Sequence, residues 1–218
     1  MYVKLEHVTK KIRGNLILND ISLELKKGVI YGIRGKNGSG KTMLLKAMCG
    51  LIRLTEGTVT IGDKILGKDC DFPENAGALL ENPGFIAGYN AENNLKALAA
   101  IRGKIEKQQI ENILQEVGLG DTGKKKYRHF SLGMKQKLGI AAALMEEPEL
   151  ILLDEPTNAL DQQSVEKLRT MLLCRKNNAV IVIASHDQEE LSMLSDEIFT
   201  MENGCISSVN MDNMQERT

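Results

Sequence analysis

The sequence predicts an α/β fold with a core of buried strands, an antiparallel β layer beside it and an inserted α-helical lobe. Short aliphatic runs that alternate with helical segments indicate a parallel sheet covered on both faces. Alternating apolar and polar residues near the beginning of the chain indicate the antiparallel layer. A block with helical spacing interrupts the strands. We expect one domain over residues 1–218, with its core in 1–81 and 148–218 and the lobe in about 82–147.

The length and composition limit the class of protein. The 218 residues carry a formal net charge of −1, so the surface as a whole is not built to bind nucleic acid. The four scattered cysteines lack metal-ligand spacing, which indicates free thiols in a reducing cytosol: Cys49, Cys70, Cys174 and Cys205. We expect no signal peptide and no membrane span, so that any role at a membrane needs a partner.

The predicted β segments of the first third follow each other closely. Residues 2–6 and 18–25 should form the antiparallel layer, and residues 57–62 should form another β segment with a turn at each end. A buried strand at 29–33 precedes a glycine-rich loop, and the helix after that loop should end at Gly50. A further strand at 76–80 leads into the loop Glu81–Gly84.

The helical block has its apolar residues at helical spacing over 91–101 and 106–117, and a third helix begins at Ser131 and ends before Pro148. Lys124, Lys125, Lys126 and Arg128 precede that third helix. Such a basic cluster can mark an acidic partner, but we interpret it as a solvated loop.

After the helical block, the sequence again predicts strands and helices of the core. A buried strand at 150–153 ends in Asp154-Glu155-Pro156, a helix runs from Asp161 to about Arg175, and another buried strand covers 179–184. Asn203-Gly204 between two β segments predicts a hairpin. The polar tail from Asn210 should fray.

The glycine-rich loop has the P-loop pattern, and its flanks are a strand and a helix, as the motif requires. Gly38 and Gly40 let the backbone curl around a phosphate, toward which the helix directs its positive end. Lys41 supplies a cation for the β- and γ-phosphates, and the hydroxyl of Thr42 suits Mg²⁺. The alternative is a plain glycine-rich turn. We favour a nucleotide-binding site, which by itself fits kinases, GTPases and many ATPases; its predicted residues are Gly35, Lys36, Asn37, Gly38, Ser39, Gly40, Lys41, Thr42 and Met43.

Two neighbouring carboxylates indicate which reaction the P-loop serves. Asp154 and Glu155 stand at the end of an aliphatic strand, and strand ends of a parallel sheet meet at the edge where ligands bind. One carboxylate can hold Mg²⁺, and the other can orient or deprotonate an attacking water. The alternative is an acidic turn before Pro156, which the P-loop disfavours.

Further motifs complete the set in order along the chain. Phe130-Ser131-Leu132-Gly133-Met134-Lys135-Gln136 would alone be a helix N-cap. Together with the P-loop and the two carboxylates it resembles the signature sequence of ABC ATPases. Residues 158–161 resemble the D-loop of that family, and His186 resembles its switch histidine. The resemblance covers nearly the whole chain.

The resemblance implies a function that spacing alone does not supply. Such domains form head-to-tail dimers that enclose two ATP molecules and hydrolyse them to ADP and phosphate. By resemblance, Asp154 supports Mg²⁺, Glu155 is the general base and His186 contacts the γ-phosphate. Ser131 and Gly133 would complete the site of a second nucleotide-binding subunit, in a dimer that we expect to be a homodimer.

The chain departs from the family at three points. Ile12 occupies the position of the usual adenine-stacking aromatic residue, and Glu81 replaces the usual glutamine, here as a predicted metal ligand. Leu132 and Met134 stand where glycine and glutamine are commoner. Residues 81–85 and the signature segment together resemble the corresponding segments of the bacitracin-type, peptide and drug exporter branch of the family.

The expected function is that of an ATP-hydrolysing subunit, peripheral on the cytoplasmic face of the cell membrane, that powers a separate permease. One alternative is a soluble ABC ATPase acting on a protein or nucleic-acid partner. The other is a module that holds ATP without turnover, which Glu155 and His186 disfavour. In the loop after Glu81, Phe85, Ile86 and Tyr89 could dock a helix of the permease or could pack inward.

Overall fold

Two β-sheets organise the chain in the computed structural model, which describes residues 2–81 and 84–209. Asn82 and Pro83 of the predicted loop, and the predicted polar tail from Asn210, lie outside the described residues. The strands are β1 (Val3–Ile12), β2 (Asn15–Leu25), β3 (Ile30–Arg34), β4 (Glu56–Ile61), β5 (Lys64–Ile65), β6 (Ala76–Leu79), β7 (Leu150–Asp154), β8 (Val180–Ser185), β9 (Glu197–Glu202) and β10 (Cys205–Val209). The helices are α1 (Lys41–Met48), α2 (Ala91–Arg102), α3 (Lys107–Glu116), α4 (Leu132–Leu144), α5 (Gln162–Arg175) and α6 (Gln188–Leu194).

The smaller sheet is the predicted antiparallel layer. Its strand order is β2-β1-β4-β5, and all of its pairings are antiparallel. Val3, Leu5 and Val8 of β1 are buried, whereas the residues between them are at least partly accessible, as expected for a sheet with one covered face. The prediction of this layer is therefore confirmed.

The larger sheet has the order β10-β9-β3-β8-β7-β6, and its pairings are parallel from β9 to β6. All residues of β7 and β8 are buried, which explains their uninterrupted aliphatic sequences. Because β3, β8 and β7 are parallel neighbours, the segments that follow them meet at one edge of the sheet. This topology brings the P-loop, the Asp154-Glu155 pair and His186 together.

The hairpin between β9 and β10 turns at the predicted dipeptide. Asn203 and Gly204 have φ values of 49° and 79°, which are the left-handed conformations that a two-residue hairpin turn needs. The turn prediction is confirmed.

Helices α2, α3 and α4 lie between β6 and β7 in the chain. They coincide with the predicted helical segments, and Ser131 caps α4 by accepting a hydrogen bond from the amide of Met134. Helix α4 also lies against β6 of the core, since a Cβ on Gly77 would come within 1.8 Å of the carbonyl oxygen of Ala143. The division into a core and a lobe stays a prediction.

Helix α6 was not predicted from the sequence. It has seven residues, too few for an apolar pattern to stand out, and the side chain of Asp187 caps it by accepting from the amides of Glu189 and Glu190. Its Leu191 and Leu194 are buried in the core. This short helix carries Glu190 to the site described below.

Candidate functional site

The P-loop connects β3 to α1 at the edge of the larger sheet. Gly38 has a φ of 83° and no atom within 4 Å of where a Cβ would be, so its backbone faces open space. Gly40 has a φ of 110°, and a Cβ there would clash with Met201. Helix α1 follows with no side-chain cap at its N-terminus. The loop therefore presents backbone and a positive helix end to a cavity, as an anion site requires.

Lys41 at the start of α1 is only 5% exposed. Its Nζ donates to the carbonyl oxygen of Gly35 at 2.7 Å and lies 3.8 Å from Oε1 of Glu155. A cation buried this far needs such partners. The side chain is thus folded back across the P-loop, between the loop backbone and the carboxylate at the end of β7.

Asp154 and Thr42 form a candidate metal centre. The hydroxyl of Thr42 donates to Oδ2 of Asp154 at 2.5 Å, and burial raises the pKa of this carboxyl, while the Thr42 hydrogen bond opposes that rise. The other oxygen, Oδ1, is buried and has no hydrogen-bond partner among the described residues. A buried carboxylate with a spare oxygen beside a hydroxyl is a donor set that fits Mg²⁺.

Glu155 directly follows β7 in a left-handed conformation, with a φ of 47°. This conformation is costly for a residue with a side chain and occurs most often at functional sites. Its amide still donates to the carbonyl oxygen of Ala184 on β8 at 2.8 Å, so the backbone is fixed on the sheet. The turn separates the directions of the two carboxylates: Asp154 is bound to Thr42, and Glu155 reaches His186.

His186 follows β8 and contacts Glu155 directly. Its Nδ1 lies 3.0 Å from each carboxylate oxygen of Glu155, and its amide donates to Oε1 at 3.1 Å. The sequence placed both residues at strand ends, and the adjacency of β7 and β8 brings them into contact. The carboxylate therefore has a defined orientation.

A second set of side chains supports Glu155 and was missed from the sequence. The hydroxyl of Ser185, which is buried, lies 3.2 Å from Oε2 of Glu155 and 3.3 Å from Oε2 of Glu190. Thr157 donates to the same oxygen of Glu190. The only sequence signal was the presence of polar residues next to two buried strands. These contacts hold the segments after β7 and β8 together.

The signature segment packs against the end of β7 within the same chain. A Cβ on Gly133 would lie 2.6 Å from the carbonyl oxygen of Ala159, so this close approach favours glycine. Nε2 of Gln136 donates to the carbonyl oxygens of Glu155 and Pro156, both at 3.0 Å. Sequence analysis had given Gln136 no role. Ser131 and Leu132 are exposed, so the N-terminus of α4 faces outward from this protomer.

Ile12 and Ile17 occupy different places near the site. Ile12 is 40% exposed at the end of β1, where it pairs with Asn15. Ile17, and not Ile12, lines the cavity of about 340 Å³ that Lys41 and Asp154 also line. The role of Ile12 at the base of the nucleotide stays a prediction.

Glu81 follows β6 with a φ of 58° and a side chain that is 63% exposed. Nζ of Lys46, on α1, donates to its Oε1 at 2.6 Å. Burial is the main cause of the raised pKa of Asp154, and the negative charge of Glu81 adds a smaller contribution in the same direction. In this structure the carboxylate of Glu81 is held by a lysine, and its role as a metal ligand stays a prediction.

Comparisons with known proteins agree with this geometry. A model of the ABC transporter family matches residues 18–158. An uncharacterized ABC transporter ATP-binding protein of Bacillus subtilis is 43% identical over 93% of each chain. The bacitracin transport ATP-binding protein of Enterococcus faecalis is 38% identical over 99% of this chain and 71% of its own.

Solved structures show the same fold. A dimeric ATP-binding cassette in a post-hydrolysis state bound to ADP and Pi superimposes with a TM-score of 0.82 and is 25% identical, over 95% of this chain and 99% of its own. In the part of the chain that the structure describes, no helix is long and apolar enough to cross a membrane. The chain belongs to the ABC transporter family, as one of its ATP-binding ATPase subunits.

Proposed function

We propose that this ATPase powers a separate membrane permease, and that the pair exports a peptide or drug-like substrate. The similarity to the bacitracin transport ATP-binding protein supports the choice of substrate class. The observation that supports its ATPase part is the meeting of Lys41, Asp154 and Glu155 beside the P-loop, at the edge of the sheet. This arrangement provides a phosphate site, a metal site and a base within a few ångströms.

Each residue has a role that its contacts permit. Lys41 neutralises charge on the β- and γ-phosphates once it leaves the carbonyl oxygen of Gly35. Glu155 accepts a proton from the attacking water, and the contact with His186 orients it for this step. His186 would also contact the γ-phosphate.

Thr42 and Asp154 would hold Mg²⁺, with Glu81 as a proposed third ligand. The metal, when bound, offsets negative charge on the phosphates of ATP. Without it, the two carboxylates and the phosphates repel one another at short range. Release of the Lys46–Glu81 ion pair would free the carboxylate of Glu81 to turn toward the metal.

We further propose that two copies enclose ATP head to tail. The exposed N-terminus of α4, with Ser131 and Gly133, would face the γ-phosphate bound by the second copy, where a helix N-terminus stabilises an anion. The dimeric form of the related cassette supports this arrangement. Binding to a permease would place the protein on the cytoplasmic face of the membrane.

The loop after Glu81 supplies a candidate surface for the permease. Phe85 is partly buried and packs edge to face on Tyr127, with ring centroids 5.3 Å apart. This contact supports the alternative in which Phe85 packs inward. Ile86 and Tyr89 are 50% and 44% exposed. We therefore assign permease contact to Ile86 and Tyr89, and a packing role to Phe85.

Affinity purification of the tagged protein from detergent-solubilised membranes tests the proposed permease. The expected result is recovery of one integral membrane protein whose presence stimulates ATP hydrolysis. Recovery of the chain from the soluble fraction only, bound to a soluble protein or to nucleic acid, would contradict the transport function while leaving the ATPase assignment intact.

A further inference from the structure

Residues 122–145, which include α4, are rich in cations and contain no carboxylate. This stretch has six lysine or arginine residues and neither aspartate nor glutamate, although the whole chain carries a formal net charge of −1. Four of the six lie within five positions before α4, and we call these four the basic cluster: Lys124, Lys125, Lys126 and Arg128. Positive charge is therefore concentrated at one place on a protein that is otherwise slightly acidic.

The side chains of the basic cluster are exposed and lack counter-ions. None of the four forms an ion pair within residues 2–81 and 84–209. Nζ of Lys125 approaches Sδ of Met134 at 3.5 Å, and Nε of Arg128 donates to Nε2 of the neighbouring His129 at 3.2 Å. Cations held so close together repel one another, so the binding of an anion from outside the chain is favourable.

The backbone that carries the basic cluster is joined to the loop that contains Ile86. The amide of Tyr127 donates to the carbonyl oxygen of Tyr89 at 2.7 Å. The amide of Arg128 donates to the carbonyl oxygen of Ala87 at 3.1 Å. The basic cluster and the surface that we assign to permease contact are therefore continuous.

We propose that the basic cluster binds the headgroups of anionic lipids on the cytoplasmic face of the membrane. This inference rests on the proposed function in one respect, because docking of Ile86 and Tyr89 on a permease would bring the adjoining cluster toward the bilayer around that permease. Anionic headgroups attract lysine and arginine, and each such charge near the surface raises the affinity roughly fivefold. Four neighbouring cations are typical of segments that recognise these lipids.

The freedom of the side chains favours lipid over an acidic segment of a protein. Lys124 and Lys126 make no side-chain hydrogen bond in the part of the chain that the structure describes. A specific protein partner is usually met by oriented charges, such as an arginine that binds a carboxylate through two hydrogen bonds. Lipid headgroups are mobile, and charge alone attracts them.

The attraction of four charges is weak and reversible, so the basic cluster does not anchor the protein by itself. Stable attachment to a membrane generally takes two signals. The permease contact would be one of them and the basic cluster the other. Lipid binding would thus keep a dissociated subunit close to the membrane and favour its return to the permease.

The test is co-sedimentation of the purified protein with lipid vesicles at low ionic strength. Wild type should bind vesicles of equal parts phosphatidylcholine and phosphatidylglycerol but not vesicles of phosphatidylcholine alone, and added salt should weaken the binding. The combined variant Lys124→Gln, Lys125→Gln, Lys126→Gln should lose roughly a hundredfold in affinity. Arginine at the same three positions should keep the affinity close to that of wild type, because charge is what the lipid recognises.

The matched control is the combined variant Lys26→Gln, Lys68→Gln, Lys104→Gln. These three lysines are also exposed and form no ion pair among the described residues, so the change in charge is the same at places outside the cluster. The control should bind anionic vesicles as wild type does. Circular dichroism checks that both glutamine variants are folded, as expected for substitutions of exposed side chains.

No binding of wild type to the anionic vesicles, or an equal loss of affinity in the cluster variant and the control, would overturn the proposal. So would equal binding by wild type and the cluster variant. Loss of stimulation by the permease in the cluster variant, without any binding of wild type to vesicles, would assign the cluster to an acidic protein segment instead. Because the vesicles contain only lipid, a failed search for a permease leaves this result unaffected.

Discussion

The imidazole Nδ1 of His186 lies 3.0 Å from both carboxylate oxygens of Glu155. The two residues follow neighbouring parallel strands, and the amide of His186 donates to the same carboxylate at 3.1 Å. The hydroxyl of Ser185 also lies 3.2 Å from Oε2 of Glu155, and Nζ of Lys41 lies 3.8 Å from Oε1. The carboxylate is therefore held by His186 and Ser185 and also contacts Lys41. The ends of two neighbouring strands thus set the orientation of Glu155, the residue that we propose as the base.

Lys41→Ala should weaken ATP binding by roughly tenfold or more, because the phosphates lose a charge-assisted donor in a buried position. The variant also leaves Glu155 without its nearby cation. Binding of a fluorescent ATP analogue measures the effect, and Lys68→Ala, which removes an exposed lysine outside the P-loop, is the matched control. Equal affinity of Lys41→Ala and wild type would show that the loop does not hold the phosphates.

Glu81→Gln should need more Mg²⁺ for half-maximal ATPase activity and should bind metal-free ATP better than wild type does. A carboxylate attracts the metal more strongly than an amide and repels phosphate when the metal is absent. The measurements are a Mg²⁺ titration of the rate and an ATP titration in chelator.

Lys46→Met provides the control for Glu81, because it removes the present partner of the carboxylate and keeps the charge on Glu81. It should shift half-maximal activity to lower Mg²⁺, opposite to Glu81→Gln. The metal-ligand role of Glu81 would be wrong if neither variant changed the Mg²⁺ dependence.

Ile86→Glu and Tyr89→Glu should abolish stimulation by the permease while basal ATPase activity survives, since both side chains are exposed on the described surface. Phe85→Glu should instead lower stability by roughly 2 kcal/mol or more, because it removes the contact with Tyr127 and buries a charge. Thermal unfolding and transport assays separate the two outcomes. Loss of folded protein in the Ile86 and Tyr89 variants would favour inward packing for the whole loop.

The cysteine thiols should differ in how their reaction with an alkylating reagent depends on pH. Burial raises the pKa of Cys49 to about 12, whereas Cys174 and Cys205 are exposed. A folded-state pKa above that of the unfolded chain means that this thiol supports folding below about pH 8.5 and loses that contribution as the pH rises toward 12. Alkylation followed by mass spectrometry should label Cys174 and Cys205 up to about pH 10 but leave Cys49 unlabelled until denaturant is added. Early labelling of Cys49 in folded protein would contradict its burial.

The sequence predicted most of the fold because its signals were strong and local. The aliphatic runs of β7 and β8 and the alternation in β1 each match one strand environment. The P-loop residues and Asp154 were predictable because their chemistry requires a fixed spacing. Parallel strand ends at one edge then brought His186 to Glu155.

Other parts of the site depend on contacts that no local pattern encodes. Gln136, Ser185 and Glu190 are ordinary polar residues until the fold brings them to the segment after β7. The ion pair of Glu81 with Lys46 joins residues 35 positions apart, and nothing in either neighbourhood predicts it. Such partners are set by tertiary packing.

Steady-state phosphate release by wild type and Glu155→Gln measures whether Glu155 is the base in ATP hydrolysis. The isosteric amide cannot accept a proton, so turnover should fall by about 100-fold or more while ATP binding persists. Size-exclusion chromatography should then show an ATP-dependent dimer for this variant. Phosphate release by Glu155→Gln at the wild-type rate would show that Glu155 is not the base.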